Sequence, residues 1–192
     1  MDFSYKLTMQ HQWRPGVGGF IDLNCGWYCQ DALLGWYCKK HNMPDTILRQ
    51  SAKCKVQSAK CKVQSAKCKV QSAKRNRLSF GFSPEDSFCY RISIPCDIQS
   101  YKQALLKHGP IIAAGKLGMA DFGLLGGVNH YVLIVSVDTK RKKIVIQDPL
   151  NINWGRFGCS DCGIYDFYSV ARKIEDALVI NKYKIDLFRG YK

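Results

Sequence analysis

The sequence contains no apolar run of about 18 residues, which is the length that a membrane-spanning helix requires. Its first residues, MDFSYKLTMQHQW, also lack the apolar stretch that characterises a secretory signal peptide. We therefore expect neither insertion into a membrane nor export by the general secretory route.

Acidic residues are scarce, and the scarcity is greatest in one segment. The chain has 15 Asp and Glu against 29 Lys and Arg, which gives a formal net charge of +14. Residues 49–77 hold ten Lys or Arg and no acidic residue, so the rest of the chain carries only +4 (14 minus 10). The excess charge belongs to this segment, and nucleic-acid binding by the remainder of the chain is not expected.

That basic segment is built from a tandem repeat. The sequence QSAKCKV occurs three times from residue 50, and QSAK follows at residues 71–74. Lys, Gln and Ala favour a helix over a strand, but Lys flanks the apolar positions on both sides. We interpret residues 50–74 as a solvated, weakly helical insertion in a single domain that spans residues 1–192.

The ten cysteines are best interpreted as reduced thiols, because the chain has no signal sequence that would lead it to an oxidising compartment. Cys159 and Cys162 have the spacing of a metal-binding pair, and Cys89 with Cys96 could complete a four-thiolate zinc site. A loop with free thiols is the interpretation we favour. We therefore expect no metal and no other cofactor.

Local patterns predict an α+β fold. A first helix follows the capping side chains of Asp22 and Asn24, and a second one stops at Gly109 and Pro110. Apolar, β-branched runs on either side of a charged turn predict antiparallel strands. Helices followed by such strands are typical of the α+β class. The expected elements are helices at 25–40 and 98–108 and strands at 111–114, 131–137 and 143–147, whereas the tail at 165–188 has no clear pattern.

Cys25 opens the first predicted helix, and this position suits a reactive thiol. A free thiol titrates near 8.5, and a helix N-terminus or a neighbouring imidazolium lowers this pKa to about 3.5–7.5. Gly26 beside it leaves room for a substrate, and Trp27 either lines the substrate cleft or packs in the core. Cys29 and Cys38, farther along the helix, are expected to be core thiols.

His130 and Asp148 stand on the two strands of a predicted hairpin. With a turn centred near residue 139, the numbers of cross-strand partners sum to 278, which places His130 opposite Asp148. Opposed residues have Cβ atoms about 4.5–5.5 Å apart. A carboxylate at that distance can orient an imidazole whose other nitrogen faces a thiol.

Three stretches resemble papain-like cysteine peptidases, and they are most similar to the bacteriocin-processing branch that cleaves after double glycine and to related bacterial effector proteases. Residues 24–37 (NCGWYCQDALLGWY) resemble the active-site helix, and 109–114 (GPIIAA) the strand that follows a Gly-Pro pair. Residues 129–135 (NHYVLIV) and 146–149 (IQDP) resemble the histidine strand and the Asp-Pro element. The resemblance implies a triad of Cys25, His130 and Asp148.

The sequence departs from this family at the oxyanion donor. Family members usually carry a Gln about six residues before the nucleophile, whereas this chain has Gly19. The backbone amide of Cys25 can supply one donor, but the loss of the other typically costs a factor of about 10²–10³ in rate. Gln12 is our candidate for the missing donor, and Asn24 is the alternative that lies closer in the chain.

The resemblance implies a thiol peptidase that acts on a protein substrate, with a Gly-rich cleavage site as in the double-glycine branch. We expect a monomeric effector or toxin, either cytoplasmic or delivered into a target cell by a specialised secretion system. An immunity or inhibitor protein is a possible partner. The same triad could instead serve glutamine deamidation or acyl transfer. A third hypothesis is a basic protein that binds nucleic acid through its Lys repeat.

Deletion of residues 50–74 separates the third hypothesis from the other two. If the repeat binds nucleic acid, deletion abolishes the binding of a labelled oligonucleotide at low salt, because phosphate-driven affinity depends on the number of cationic side chains. Fluorescence anisotropy measures this binding. The peptidase hypothesis predicts that cleavage of a protein substrate survives the deletion, and loss of cleavage in a folded deletion variant contradicts that prediction.

Overall fold

The computed structural model describes residues 3–8, 25–44, 88–117, 130–149 and 163–190. The predictions made for other residues stay predictions. They concern the repeat at 50–74, the oxyanion candidates Gln12 and Asn24, and the thiols of Cys159 and Cys162. Within the described ranges, no helix combines the length and the apolar character needed to cross a membrane.

The described residues form six strands and four helices. The strands make one sheet, and helices cover both of its faces. The strands are β1 (Cys89–Ile92), β2 (Ile111–Gly115), β3 (His130–Asp138), β4 (Lys143–Gln147), β5 (Gly163–Asp166) and β6 (Ile174–Ile180). The helices are α1 (Cys25–Lys40), α2 (Ile98–His108), α3 (Phe167–Ala171) and α4 (Lys182–Gly190). The order in the sheet is β1-β6-β2-β3-β4-β5, and every pairing is antiparallel.

Each face of the sheet has its own apolar core. On one face, Leu33 of α1 belongs to the same cluster of buried side chains as Ile112 and Leu133. On the other face, Leu105 of α2 and Phe167 of α3 pack with the alternate residues of the strands. This division follows from the strand period of two, because successive side chains point to opposite faces. The described residues therefore form three layers. Of these three helices, α1 covers one face of the sheet, and α2 and α3 cover the other.

The α+β class and the antiparallel sheet are confirmed, and so are the two predicted helices with their bounds. The side chain of Asp97 caps α2 by accepting from the backbone N–H of Ser100 at 2.8 Å. Gly109 ends the helix with a φ of 87°. All three predicted strands are present. β2 extends one residue beyond the prediction, to Gly115, and β3 is longer by one residue at each end, from His130 to Asp138.

Two regions of the fold were not predicted. β1 has only four residues, and the tail divides into β5, α3, β6 and α4. Short elements contain too few residues for an apolar period to be visible. β6 also begins with exposed and half-buried positions before its buried residues, so its sequence, IEDALVI, does not alternate regularly.

The segment at residues 3–8 is hydrogen-bonded to β3 at the point where the strand pairing is irregular. The pairing of β3 with β4 shifts between Ile134 and Ser136. Beside this bulge, the backbone N–H of Tyr5 donates to the carbonyl of Val135 at 3.1 Å, and the hydroxyl of Ser136 donates to the carbonyl of Phe3. The N-terminal segment thus satisfies polar groups that the bulge would otherwise leave unpaired.

Gly109, directly after α2, lies against the ring of Trp36 in α1. A Cβ atom added to it would be 2.6 Å from Cζ3 of Trp36, and the φ of 87° already disfavours any side chain. Trp36 has little freedom to move, because the ring of Tyr5 contacts it edge-on at 5.3 Å between centroids and Nζ of Lys40 lies 4.9 Å from its ring centre.

We therefore expect Gly109→Ala to lower the free energy of unfolding by about 1–3 kcal/mol. Gly35→Ala is the matched control, because no atom lies within 4 Å of its added Cβ. Gly35 is in the interior of α1, so this change should raise the free energy of unfolding by about 0.5–1 kcal/mol. Chemical denaturation measures both. Equal effects of the two substitutions would contradict the steric argument.

Candidate active site

Cys25 is the first residue of α1, and only 7% of its surface is exposed. The first amide N–H groups of a helix have no partner within the helix, and the positive end of the helix dipole lies beside them. The first turn contains no acidic residue that would compete for these donors. The sulfur of Cys25 therefore stands beside the unpaired donors of the helix start.

His130 begins β3, and its ring is held by Asp148. Nε2 of His130 lies 2.6 Å from Oδ1 of Asp148. The histidine side chain is 6% exposed, whereas that of Asp148, directly after β4, is 22% exposed. A short contact between a ring nitrogen and a carboxylate in a largely dry site is a charge-assisted hydrogen bond, which is stronger than one between neutral groups.

The predicted register of the hairpin is wrong, although the predicted pair forms. Leu133 pairs with Gln147, so partner numbers sum to 280 at this end of the hairpin, not to 278. Continued by one residue, this register would place Asp148 opposite Val132. His130 and Asp148 are therefore diagonal neighbours, a separation that long side chains can bridge.

The side chain of Cys25 is close enough to His130 to raise the pKa of the imidazole through hydrogen bonding and charge. Because Nε2 is engaged by Asp148, Nδ1 is the nitrogen that remains for the thiol, and a protonated ring can donate from both nitrogens. Burial lowers the pKa of His130, but hydrogen bonds to Asp148 and Cys25 and the charges of both groups outweigh it and raise this pKa to about 10. The three residues thus form one chain of contacts, with the imidazole in the middle.

Cys29 lies one helical turn after Cys25 and differs from it in environment. Cys29 is fully buried, and burial, followed by the nearby charges of Cys25, Asp148 and Cys89, raises its pKa well above the ordinary value. Its thiol therefore stays protonated and does not compete with Cys25. The prediction that Cys29 and Cys38 are core thiols is confirmed by their burial.

Gly26 and Trp27 were predicted at the substrate cleft. Both are buried, and Trp27 belongs to the apolar cluster between α1 and the sheet. The core interpretation of Trp27 is thus confirmed, and contact of either residue with a substrate stays a prediction. The oxyanion candidates Gln12 and Asn24 lie outside the described residues.

Tyr131 is the residue near the thiol that the sequence analysis missed. It is half-buried and packs against the cluster under α1. Burial, then the charges of Cys25 and Asp176, raise its pKa to about 12. The available signal was its position in the sequence, because its hydroxyl stands between His130 and the aliphatic run at residues 132–135.

The described residues contain no group of three His, Cys, Asp or Glu that could hold a metal ion. Of the four thiols considered for zinc, Cys89 is buried and Cys96 is exposed, and the other two lie outside the described ranges. Comparison with known proteins does not identify the chain. No family model matches it, and no curated protein matches it either.

The raised pKa of His130 predicts how stability depends on pH. A folded-state pKa of about 10 lies above the ordinary value of 6.5, so protonation of this ring stabilises the fold. This contribution is fully present below about pH 6.5, and it is lost as the pH rises through about 10. Asp148→Asn removes the charged partner and should reduce the contribution.

The measurement is the free energy of unfolding of both proteins between pH 6 and pH 10. We expect the native protein to exceed Asp148→Asn in stability, and the difference to narrow as the pH rises. NMR titration of the His130 ring provides the control, because its resonance should stay in the protonated position at pH 8 in the native protein and move towards the neutral position in the variant. A constant stability difference would contradict the coupling.

Proposed function

We propose that this protein is a thiol peptidase in which Cys25 is the nucleophile, His130 the general acid and base, and Asp148 the residue that orients the imidazole. The observation that carries the proposal is the position of the His130 ring, which is hydrogen-bonded to Asp148 at 2.6 Å and close enough to Cys25, at the start of α1, for the two side chains to interact. Covalent acyl transfer requires a nucleophile beside a base, with a carboxylate on the other side of the base to orient it.

The first half of the reaction forms an acyl-enzyme. The Cys25 thiolate attacks the scissile carbonyl carbon, a C–S bond forms, and the carbonyl oxygen becomes an oxyanion. The backbone N–H of Cys25, at the helix start, is a suitable donor to that oxyanion. The imidazolium of His130 then transfers its proton to the leaving amine as the C–N bond breaks.

The second half restores the enzyme. Neutral His130 takes a proton from water, the resulting hydroxide attacks the thioester carbon, and the C–S bond breaks to release a carboxylic acid. The sulfur leaves as a thiolate and His130 keeps the proton that it took from water, so the thiolate–imidazolium pair is restored for another cycle. Asp148 contributes by stabilising the imidazolium at each stage where it forms.

The fold supports a papain-like assignment as part of this proposal. A nucleophile that opens a helix, packed on an antiparallel sheet that carries the histidine and the carboxylate, is the arrangement that the resemblance implies. The further expectations belong to the same proposal: a monomeric effector or toxin, cytoplasmic or delivered into a target cell, acting at a Gly-rich site and restrained by an immunity protein.

Access to Cys25 is restricted, which favours slender substrates. This observation also supports glutamine deamidation as a second candidate reaction. Cys25 and His130 are 7% and 5% exposed, so a bulky folded loop does not reach the thiol as easily as a Gly-rich segment does. A glutamine side chain is equally slender, and its amide could be attacked by the same groups. Intact-mass spectrometry separates the two reactions, because cleavage shortens a protein whereas deamidation adds about one mass unit to it.

An activated thiol should be recognisable by labelling. Cys96 is exposed and Cys25 is buried, so accessibility alone favours modification of Cys96. We expect a small neutral epoxide at pH 7 to modify Cys25 first among the ten cysteines, because only a thiolate opens the epoxide quickly. Peptide mapping by mass spectrometry locates the adduct, and His130→Gln should slow its formation.

The matched variants are Cys25→Ala and Cys96→Ala. The first should reduce turnover of a protein substrate by at least about a thousandfold, and the second should leave it unchanged. If the epoxide prefers Cys96, or if the folded Cys25→Ala protein keeps its activity, the proposed nucleophile is wrong.

A further inference from the structure

Next to the thiol, the sheet face that α1 covers changes from apolar to polar. Ala114 pairs with Tyr131 on one side and with Asp176 on the other, so these three residues form a row across β3, β2 and β6. Arg91 of β1 pairs with Leu178 and is the diagonal neighbour of Asp176. We name these four residues the polar row.

The polar row lies on the same face of the sheet as α1. Leu178 and Leu133 belong to the cluster that α1 covers, and each is two residues from a member of the polar row on its own strand. Side chains two residues apart on a strand point to the same face. Tyr131 itself packs against that cluster. The row therefore continues the α1 side of the sheet beyond its apolar part.

The row is also close to the thiol in electrostatic terms. The phenol of Tyr131 responds to the charge of Cys25, to that of Asp176 and, in the opposite direction, to that of Arg91. In the sheet, Tyr131 stands at the β3 end of the row, directly after His130. Ala114, in the middle of the row, is buried, whereas Arg91 lies at the exposed end of the row.

Within the ion pair, the cation and not the anion faces solvent. Nε of Arg91 lies 2.9 Å from Oδ1 of Asp176, and Nη2 lies 3.2 Å from Oδ2. The side chain of Arg91 is 55% exposed, whereas that of Asp176 is 18% exposed. Both carboxylate oxygens are engaged, but a guanidinium has five N–H donors, and the edge bearing Nη1 is not used in this pair.

From this arrangement, and resting on the proposed function, we propose that Arg91, at the exposed end of the polar row, binds an acidic side chain of the substrate protein near the bond that Cys25 attacks. Asp176 is a positioning residue, since its bidentate contact holds the guanidinium plane in one orientation. The specificity is for Glu or Asp on the substrate, a few residues from the scissile bond.

The test uses short peptidyl epoxides that modify Cys25, so that no natural substrate is needed. Three matched series carry Glu, Gln or Lys in turn at each of the three positions nearest the epoxide, with Gly at the others. The second-order rate of Cys25 modification is measured by mass spectrometry. We expect one position at which the Glu probe reacts about fivefold faster than the Gln probe, with an advantage that shrinks in high salt.

Substitutions then assign the preference to Arg91. Arg91→Ala should bring the ratio of Glu to Gln rates to one, Arg91→Lys should keep part of it, and Arg91→Glu should favour the Lys probe. Asp176→Asn should lower the ratio, because the guanidinium loses its fixed orientation. Iodoacetamide, which is small and neutral, should modify Cys25 at the same rate in all of these proteins, which shows that the fold and the thiol are intact.

The outcomes distinguish this inference from the proposed function. A Glu preference that survives Arg91→Ala overturns it, and so does the absence of a Glu preference at every position. In either case, rapid modification of Cys25 by the neutral reagents leaves the peptidase proposal standing. If the neutral reagents do not select Cys25, the peptidase proposal fails and this inference fails with it.

Discussion

The structure around the thiol depends on one buried imidazole, that of His130, placed between Asp148 and Cys25. Removing the His130 ring from water disfavours its charged form, and the contacts with Asp148 and Cys25 outweigh that cost. Neither partner lies beside His130 in the sequence, so the fold must bring the ends of β3 and β4 to the start of α1. The proposed chemistry follows from this, because a protonated imidazole can serve as the acid that releases the amine.

The sheet provides this meeting point through its order. β3 lies between β2 and β4, and α1 packs across β2 and β3, so the helix start reaches the same end of the sheet as His130. The bulge near Ser136 shifts the register, and residues 3–8 satisfy the polar groups exposed there. With the shifted register, Asp148 reaches the ring diagonally. A strand irregularity far from the thiol thereby determines how the carboxylate approaches.

The same end of the sheet separates two kinds of environment. Under α1, the strand residues are aliphatic and exclude water, which strengthens the interactions between the charged groups of the site. Beyond α1, the polar row places an ion pair within electrostatic reach of the phenol of Tyr131. Apolar residues on one side exclude water, and charged residues on the other side can contact a substrate. A site that both activates a thiol and selects a substrate needs both kinds of surface.

The sequence by itself determined the elements that local interactions control. The bounds of α1 and α2 could be predicted from the helix start and stop signals in the sequence, and β2 to β4 from apolar runs. His130 and Asp148 could be paired because a short turn joins their strands. The true register could not be predicted, since a bulge has no clear local signature. The pairing of Arg91 with Asp176 spans 85 residues, and only the tertiary structure decided it, because long-range strand order depends on how both apolar faces are buried together.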